Sequence, residues 1–153
     1  MPEKNGVLDI QGVTLTPLKV IEGELGNVYH AFKQSEDSNF SLGEAYFSTV
    51  RTGVIKGWKR HKRMVLNLVV PVGEIKFYIY DGNPDSSTYE CLRSICLSVN
   101  NYYRLSVEPG LWIAFQGVSA NLNMLLNLSS LEHDPDEAEN RELIHSEMPK
   151  ISK

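Results

Sequence analysis

The chain has 153 residues, 42% of them hydrophobic and 22% charged, with 15 Lys and Arg against 19 Asp and Glu and a net charge of −4. That length suits one domain, read as residues 1–153, with a core large enough to fold without disulfide or metal staples. The acidic balance argues against nucleic acid as a partner, and the longest apolar runs are far too short to span a bilayer. The opening MPEKNGVLDIQG lacks the apolar stretch of a secretory signal, so a cytoplasmic protein is expected.

Turn formers recur along the chain, at Gly12, Gly23, Gly26-Asn27, Thr52-Gly53, Val72-Gly73, Asp81-Gly82-Asn83-Pro84, Pro109-Gly110 and Gln116-Gly117. The runs between them are short and rich in Val, Ile, Phe, Tyr and Leu, which predicts an all-β sandwich or barrel. The first unusual stretch is GVIKGWKRHKR, because six of the fifteen Lys and Arg lie between Arg51 and Arg63. Strand period puts Lys59, His61 and Arg63 on one face and Trp58, Arg60 and Lys62 on the other. Cations so close repel one another unless solvent or an anion screens them. Two readings stay open: a solvated edge strand guarded by lysine, or the wall of a pocket for a phosphate-bearing ligand.

Further along, VLNLVV is almost continuously apolar and predicts a central strand covered on both sides. In EIKFYIY, Ile75, Phe77 and Ile79 alternate with Lys76, Tyr78 and Tyr80, which predicts one apolar and one amphipathic face. Cys91 and Cys96 are too few for a disulfide framework and read as buried structural thiols. In NLNMLLNL, Asn121, Asn123 and Asn127 share a parity opposite to Leu122, Met124, Leu126 and Leu128. That polar face either meets solvent or lines a polar cavity. From Glu132 the composition turns acidic, and Asp134-Pro135 predicts a short helix in a tail over 133–153, with loose final residues.

Signals for metal or cofactor chemistry are missing. The four histidines, His30, His61, His133 and His145, form no His-x-His pair and share no carboxylate at ligand spacing, so no metal and no cofactor is expected. No nucleophile motif and no glycine-rich phosphate loop is legible.

Five segments, PLKVIEGELGNVYHAF (17–32), GVIKGW (53–58), GEIKFYIYD with SST (73–88), LSVNNYYRLSVEPGLWIAF (97–115) and HDPDEAENREL (133–143), resemble in sequence and order the dTDP-4-dehydrorhamnose 3,5-epimerase family. The resemblance implies an all-β, cupin-like jelly-roll barrel, placed over 12–132, and the short C-terminal helical tail read above would follow it. It also implies a nucleotide-linked 4-keto sugar as the substrate in the barrel, a homodimer, and an isomerase that moves a proton next to the keto group. The family's Arg-Gly-Leu-His stretch matches Lys56-Gly57-Trp58-Lys59, so Lys59 stands where the family has its catalytic His. A second family His falls on Ile113 and the family Tyr on Leu126, and the family segment carrying the carboxylate behind the His has no counterpart before the chain ends. The sugar-nucleotide 3,4-ketoisomerases carry Gly-x-His-Ala-His-Lys, similar to Gly57-Trp58-Lys59-Arg60-His61-Lys62.

Together these resemblances imply His61 as the base and Lys59 beside it as the group that polarises the ketone, with Tyr78, or Tyr80 on the same strand, as the acid. Arg51, Lys56 and Arg63 are the candidate diphosphate contacts. Asn67, within VLNLVV, and Asn123, on the asparagine face, complete the candidate substrate-binding set. The alternative is a catalytically inactive module that keeps the barrel and binds the nucleotide sugar.

Overall fold

The computed structural model describes residues 8–151. Its strands are β1 (Val13–Pro17), β2 (Val20–Ile21), β3 (Val28–Tyr29), β4 (Glu44–Thr49), β5 (Ile55–His61) and β6 (Leu66–Val72), then β7 (Glu74–Tyr80), β8 (Leu92–Ser98), β9 (Tyr103–Val107), β10 (Trp112–Gly117), β11 (Met124–Ser129) and β12 (Ala138–Asn140). Two five-stranded antiparallel sheets, ordered β1-β9-β6-β11-β4 and β12-β5-β10-β7-β8, face one another, and β2 and β3 form a separate hairpin. The expected all-β jelly-roll class holds. The barrel does not close: the ladders stop at β4 and β1 on one sheet and at β12 and β8 on the other, leaving a sandwich.

The alternation read in the sequence sets which faces meet. Ile75, Phe77 and Ile79 of β7 are 0% exposed and pack on Leu66, Leu68 and Val70 of β6 and on Leu105 of β9 in one continuous core. As expected, β6 is the middle strand of its sheet and is buried along most of its length. Outward-facing Trp58, Tyr78 and Trp112 form a second apolar cluster on the other side of the β5–β10–β7 sheet. Cys91 and Cys96 are half-buried, less enclosed than expected.

That second cluster explains what becomes of the C-terminal segment. The expected helical tail does not form: Pro135–Glu137 make one 3-10 turn, with the Asp134 side chain accepting from the Asp136 N–H, and Ala138–Asn140 then pair with β5. The free edge of β5 offers backbone partners, and Trp58 and Trp112 offer apolar surface, so an extended strap satisfies more groups than an isolated helix turn would. Met148 is buried in this cluster, with Leu143 and Ile151 packed against it. The final two residues of the tail lie outside the described residues. No described helix is long and apolar enough to cross a membrane.

Asn123 shows how the turns are fixed. It is 1% exposed, and its Oδ1 accepts from the Glu74 N–H at 3.0 Å and the Ser119 N–H at 3.1 Å, while Nδ2 donates to the Val50 and Ser119 carbonyls. Every polar atom of this side chain is spent on joining three loops, so it holds the fold and is not free for a ligand. Asn123→Ala leaves the half-buried N–H groups of Glu74 and Ser119 without their acceptor, and urea denaturation is expected to show a loss of about 1–3 kcal/mol.

Candidate active site

A cavity of about 350 Å³ opens between the two sheets where β4, β6 and β11 face β5 and β10. Its floor is apolar, formed by Leu66, Leu68, Ile113, Phe115 and Leu125. Lys59 and His61 point into it from β5, as the period of two requires. Lys56 joins them although it is three residues from Lys59. Opposite β10, Ile113 pairs with Lys59 but Phe115 pairs with Lys56, so β5 carries one extra residue at Gly57-Trp58. This bulge reverses the parity and brings Lys56 to the inner face while Trp58 stays outside.

The cations are held without neutralisation. Lys56 Nζ donates to the Thr49 carbonyl at 2.6 Å and to Ser48 Oγ at 3.4 Å, and lies 5.5 Å from the centre of the Phe115 ring. Among the described residues no Asp or Glu lines this cavity, so two ammonium groups face it without a described carboxylate between them. Such a site attracts an anion.

His61 is fixed from behind. Its Nδ1 lies 2.6 Å from Glu137 Oε1, and the other Glu137 oxygen accepts from the Arg63 N–H at 2.8 Å and the Met64 N–H at 2.9 Å. Glu137 is 2% exposed. Burial pushes its carboxyl upward, but the hydrogen bonds from His61 and the two backbone groups, with the charge of His61, outweigh burial and bring it down to about 2. An ionised carboxylate can only accept, so Nδ1 carries the hydrogen, and the basic nitrogen of the neutral ring is Nε2 on its far edge.

The opposite wall presents a phenol. Asn127, 1% exposed, accepts at Oδ1 from the Asn67 N–H at 3.3 Å, which turns its Nδ2 toward the Tyr46 hydroxyl at 3.0 Å. The Tyr46 oxygen therefore accepts from the amide, and its own proton is free to be given elsewhere. Tyr46 and His61 line the same cavity from different sheets.

Of the residues singled out in the sequence, Lys56, Lys59 and His61 converge on the cavity, and the others do not. Tyr78 is on the outer face of β7, where its hydroxyl donates to Gln116 Oε1 at 2.9 Å beside Trp58 and Trp112. Arg51 sits exposed in the turn before β5, and Arg63, just past the end of β5, lies 4.0 Å from Asp134. Asn67 is buried, with Ser106 Oγ donating to its Oδ1 at 2.6 Å and its Nδ2 bonded to the Leu128 carbonyl, and Asn123 is the loop staple described above.

Sequence reasoning missed Tyr46, Asn127 as the partner of Tyr46, Asn140 at the cavity rim, and Glu137. The period-two pairing of Tyr46 with Ser48, against Ala45 and Phe47, is a signal for the first. Nothing local separates Glu137 from Asp136 or Glu139. The asparagine face of β11 turns inward, with Asn127 and Leu125 buried, whereas Met124, Leu126 and Leu128 are half-exposed on the outside. Among the described residues no group of three or more His, Cys, Asp or Glu is placed to hold a metal ion.

No protein-family model matches the chain. The dTDP sugar isomerase of Desulfovibrio desulfuricans is similar over 94% of this chain and 92% of its own, with 30% identity and a TM-score of 0.89. The dTDP-4-dehydrorhamnose 3,5-epimerase of Bacillus anthracis shares the fold at 18% identity, covering 97% of this chain and 91% of its own, with a TM-score of 0.82. A probable low-salt glycan biosynthesis epimerase of Haloferax volcanii, Agl13, is 25% identical over 84% of this chain and 86% of its own length. With the order of sequence motifs, the two-sheet cavity and the Desulfovibrio relative in agreement, the chain belongs to the dTDP-sugar isomerase and dTDP-4-dehydrorhamnose 3,5-epimerase family.

Proposed function

We propose that the protein is a sugar-nucleotide epimerase or isomerase acting next to the keto group of a nucleoside-diphosphate 4-keto-6-deoxy sugar, in the supply of sugars for polysaccharide or glycan synthesis. The observation that carries this reading is the buried Glu137–His61 pair in a cation-lined cavity whose opposite wall offers Tyr46. The relatives named above, a dTDP sugar isomerase and a glycan biosynthesis epimerase, support the substrate class.

The chemistry follows from the geometry. Nε2 of His61 removes the proton from a carbon beside the ketone, and the C–H electron pair moves into the ring as an enolate. The Lys59 ammonium, beside His61 on β5, stabilises the negative oxygen that develops. Tyr46, on the other wall, returns a proton to the opposite face of the same carbon and inverts it. Solvent then reprotonates the phenolate and takes the proton from the imidazolium. Glu137 stays ionised throughout, holding the ring orientation and stabilising the imidazolium, as a carboxylate behind a histidine does in other acid–base pairs. Lys56, at the position where the family has a phosphate-contacting Arg, binds the diphosphate as a point charge, not a bidentate fork. The apolar floor suits the methyl carbon of a 6-deoxy sugar better than a hydroxymethyl group.

The reading includes a cytoplasmic homodimer. The outer face of β4 and β11 supports pairing of two copies, since Phe47 is 65% exposed there and stands opposite half-exposed Leu126.

Incubation with dTDP-4-keto-6-deoxyglucose in deuterated water is expected to place deuterium at a carbon flanking the ketone. Tight binding without any exchange, across a panel of such nucleotide sugars, identifies an inactive binding module instead. Steady-state kinetics of His61→Asn and Tyr46→Phe are expected to show kcat lower by about 10²–10⁴-fold, the range of general acid–base catalysis. The acid stability has its own sign. The Glu137 carboxyl is lower in the fold, at about 2, than its ordinary 4.5, so its contribution of about 3 kcal/mol is complete above pH 4.5 and fades as the pH falls toward 2. Denaturation of Glu137→Gln at several pH values is expected to show lower stability at pH 7 and a gap from the parent that narrows below pH 4.5.

A further inference from the structure

The C-terminal strap does more than cover the outer tryptophans, because the residue that anchors His61 belongs to it. Glu137 immediately precedes β12, and β12 is only three residues long and lies at a sheet edge. A strand so short cannot hold its own position through backbone bonds alone. The three-residue ladder with β5 is flanked at its two ends by the Lys62 N–H donating to the Glu137 carbonyl and the Arg141 N–H donating to the Trp58 carbonyl, both at 2.9 Å. Side chains on the outer face supply the rest. Trp112, Arg60 and Glu139 form one cross-strand row over β10, β5 and β12, with Arg60 stacked 4.8 Å from the Trp112 ring and bonded to both Glu139 oxygens at 2.9 and 2.8 Å.

Arg141 closes the row from beyond the strand. Its guanidinium lies 4.6 Å from the centre of the buried Trp112 ring, and its Nη1 lies 3.0 Å from Glu147 and 3.7 Å from the Met148 sulfur. One side chain thus ties the strap on both sides of Leu143, which packs so closely over Gly57 that a methyl group there would come within 3.1 Å of it. The contacts of Arg141 are all on the outer face; none reaches the cavity.

We propose that Arg141 is a positioning residue for the reaction: by stacking on Trp112 it clamps the strap in the place from which Glu137 fixes the His61 ring. The proposal rests on His61 as the base for its kinetic part, and on the structure alone for its mechanical part. Backbone hydrogen exchange tests the mechanical part in the absence of substrate. Arg141→Ala is expected to speed exchange at least tenfold at the amides of Lys62 and Arg141, with the amides of β6 and β7 unchanged, and Arg141→Lys, which keeps a cation near the ring, is expected to restore part of the protection. Exchange as slow as in the parent overturns the proposal whether or not the protein is an enzyme.

A double-mutant cycle tests the link to His61. Arg141→Ala is expected to lower kcat about tenfold in the parent, as a small displacement of a catalytic group does, with KM changed less than threefold. In the Glu137→Gln background the same substitution is expected to change kcat less than twofold. An equal loss in both backgrounds overturns the positioning role. A parent protein without activity refutes the proposed function, while the exchange result still decides whether Arg141 clamps the strap.

Discussion

The structure turns on one buried carboxylate. Glu137 reaches three donors from two consecutive stretches of chain, His61 at the end of β5 and the N–H groups of Arg63 and Met64 in the turn that follows. Those donors keep it ionised despite burial. A charge buried with several hydrogen bonds tolerates little displacement, because each lost donor leaves it further from neutralisation. The same contact therefore closes the β5–β6 turn, docks the C-terminal strap and sets the tautomer of His61, which lines the cavity between the sheets.

The strap and the bulge in β5 serve the same site from opposite sides of the sheet. Without the extra residue at Gly57-Trp58, strict alternation would send Lys56 outward with Trp58. With it, Lys56 and Lys59 both face the cavity, while Trp58 packs with Trp112 and receives Leu143 and Met148. Outer-face packing and inner-face charge are thus two results of one local irregularity. The opposite sheet contributes a more regular wall, where plain alternation aligns Tyr46 on β4 with Asn127 on β11.

Much of this was legible in the sequence because strands announce themselves by period. The central placement of β6, the two-faced character of β7 and the inward direction of Lys59 and His61 follow from alternation, and the order of five short motifs identified the family. What failed depended on contacts between segments far apart in the chain. Tyr78 carries a plausible functional group, yet its parity, shared with Tyr80, puts it on the face that packs against the strap. Arg63 lies past the strand end, where alternation no longer applies. Asn67 and Asn123 read as ligand-facing amides, but both spend their polar atoms on neighbouring backbone and side chains. The tail read as a helix because Asp134-Pro135 is a good start signal; pairing with the β5 edge outweighed that local preference. Glu137 escaped notice since its partner, His61, is 76 residues away.

The sequence resemblance puts Lys59 and Leu126 at the family's catalytic His and Tyr positions, whereas the cavity between the sheets is lined by a carboxylate-backed histidine, His61, and a phenol, Tyr46. The proposed function accordingly rests on side chains that converge in space, and the tautomer of the His61 ring is its most direct expression. Nitrogen-15 chemical shifts of the His61 imidazole at neutral pH measure that tautomer. For the neutral ring, a hydrogen on Nδ1 and an unprotonated Nε2 are expected. A neutral ring with its hydrogen on Nε2 would contradict this, because the nitrogen available to the cavity would then have no lone pair with which to accept a proton.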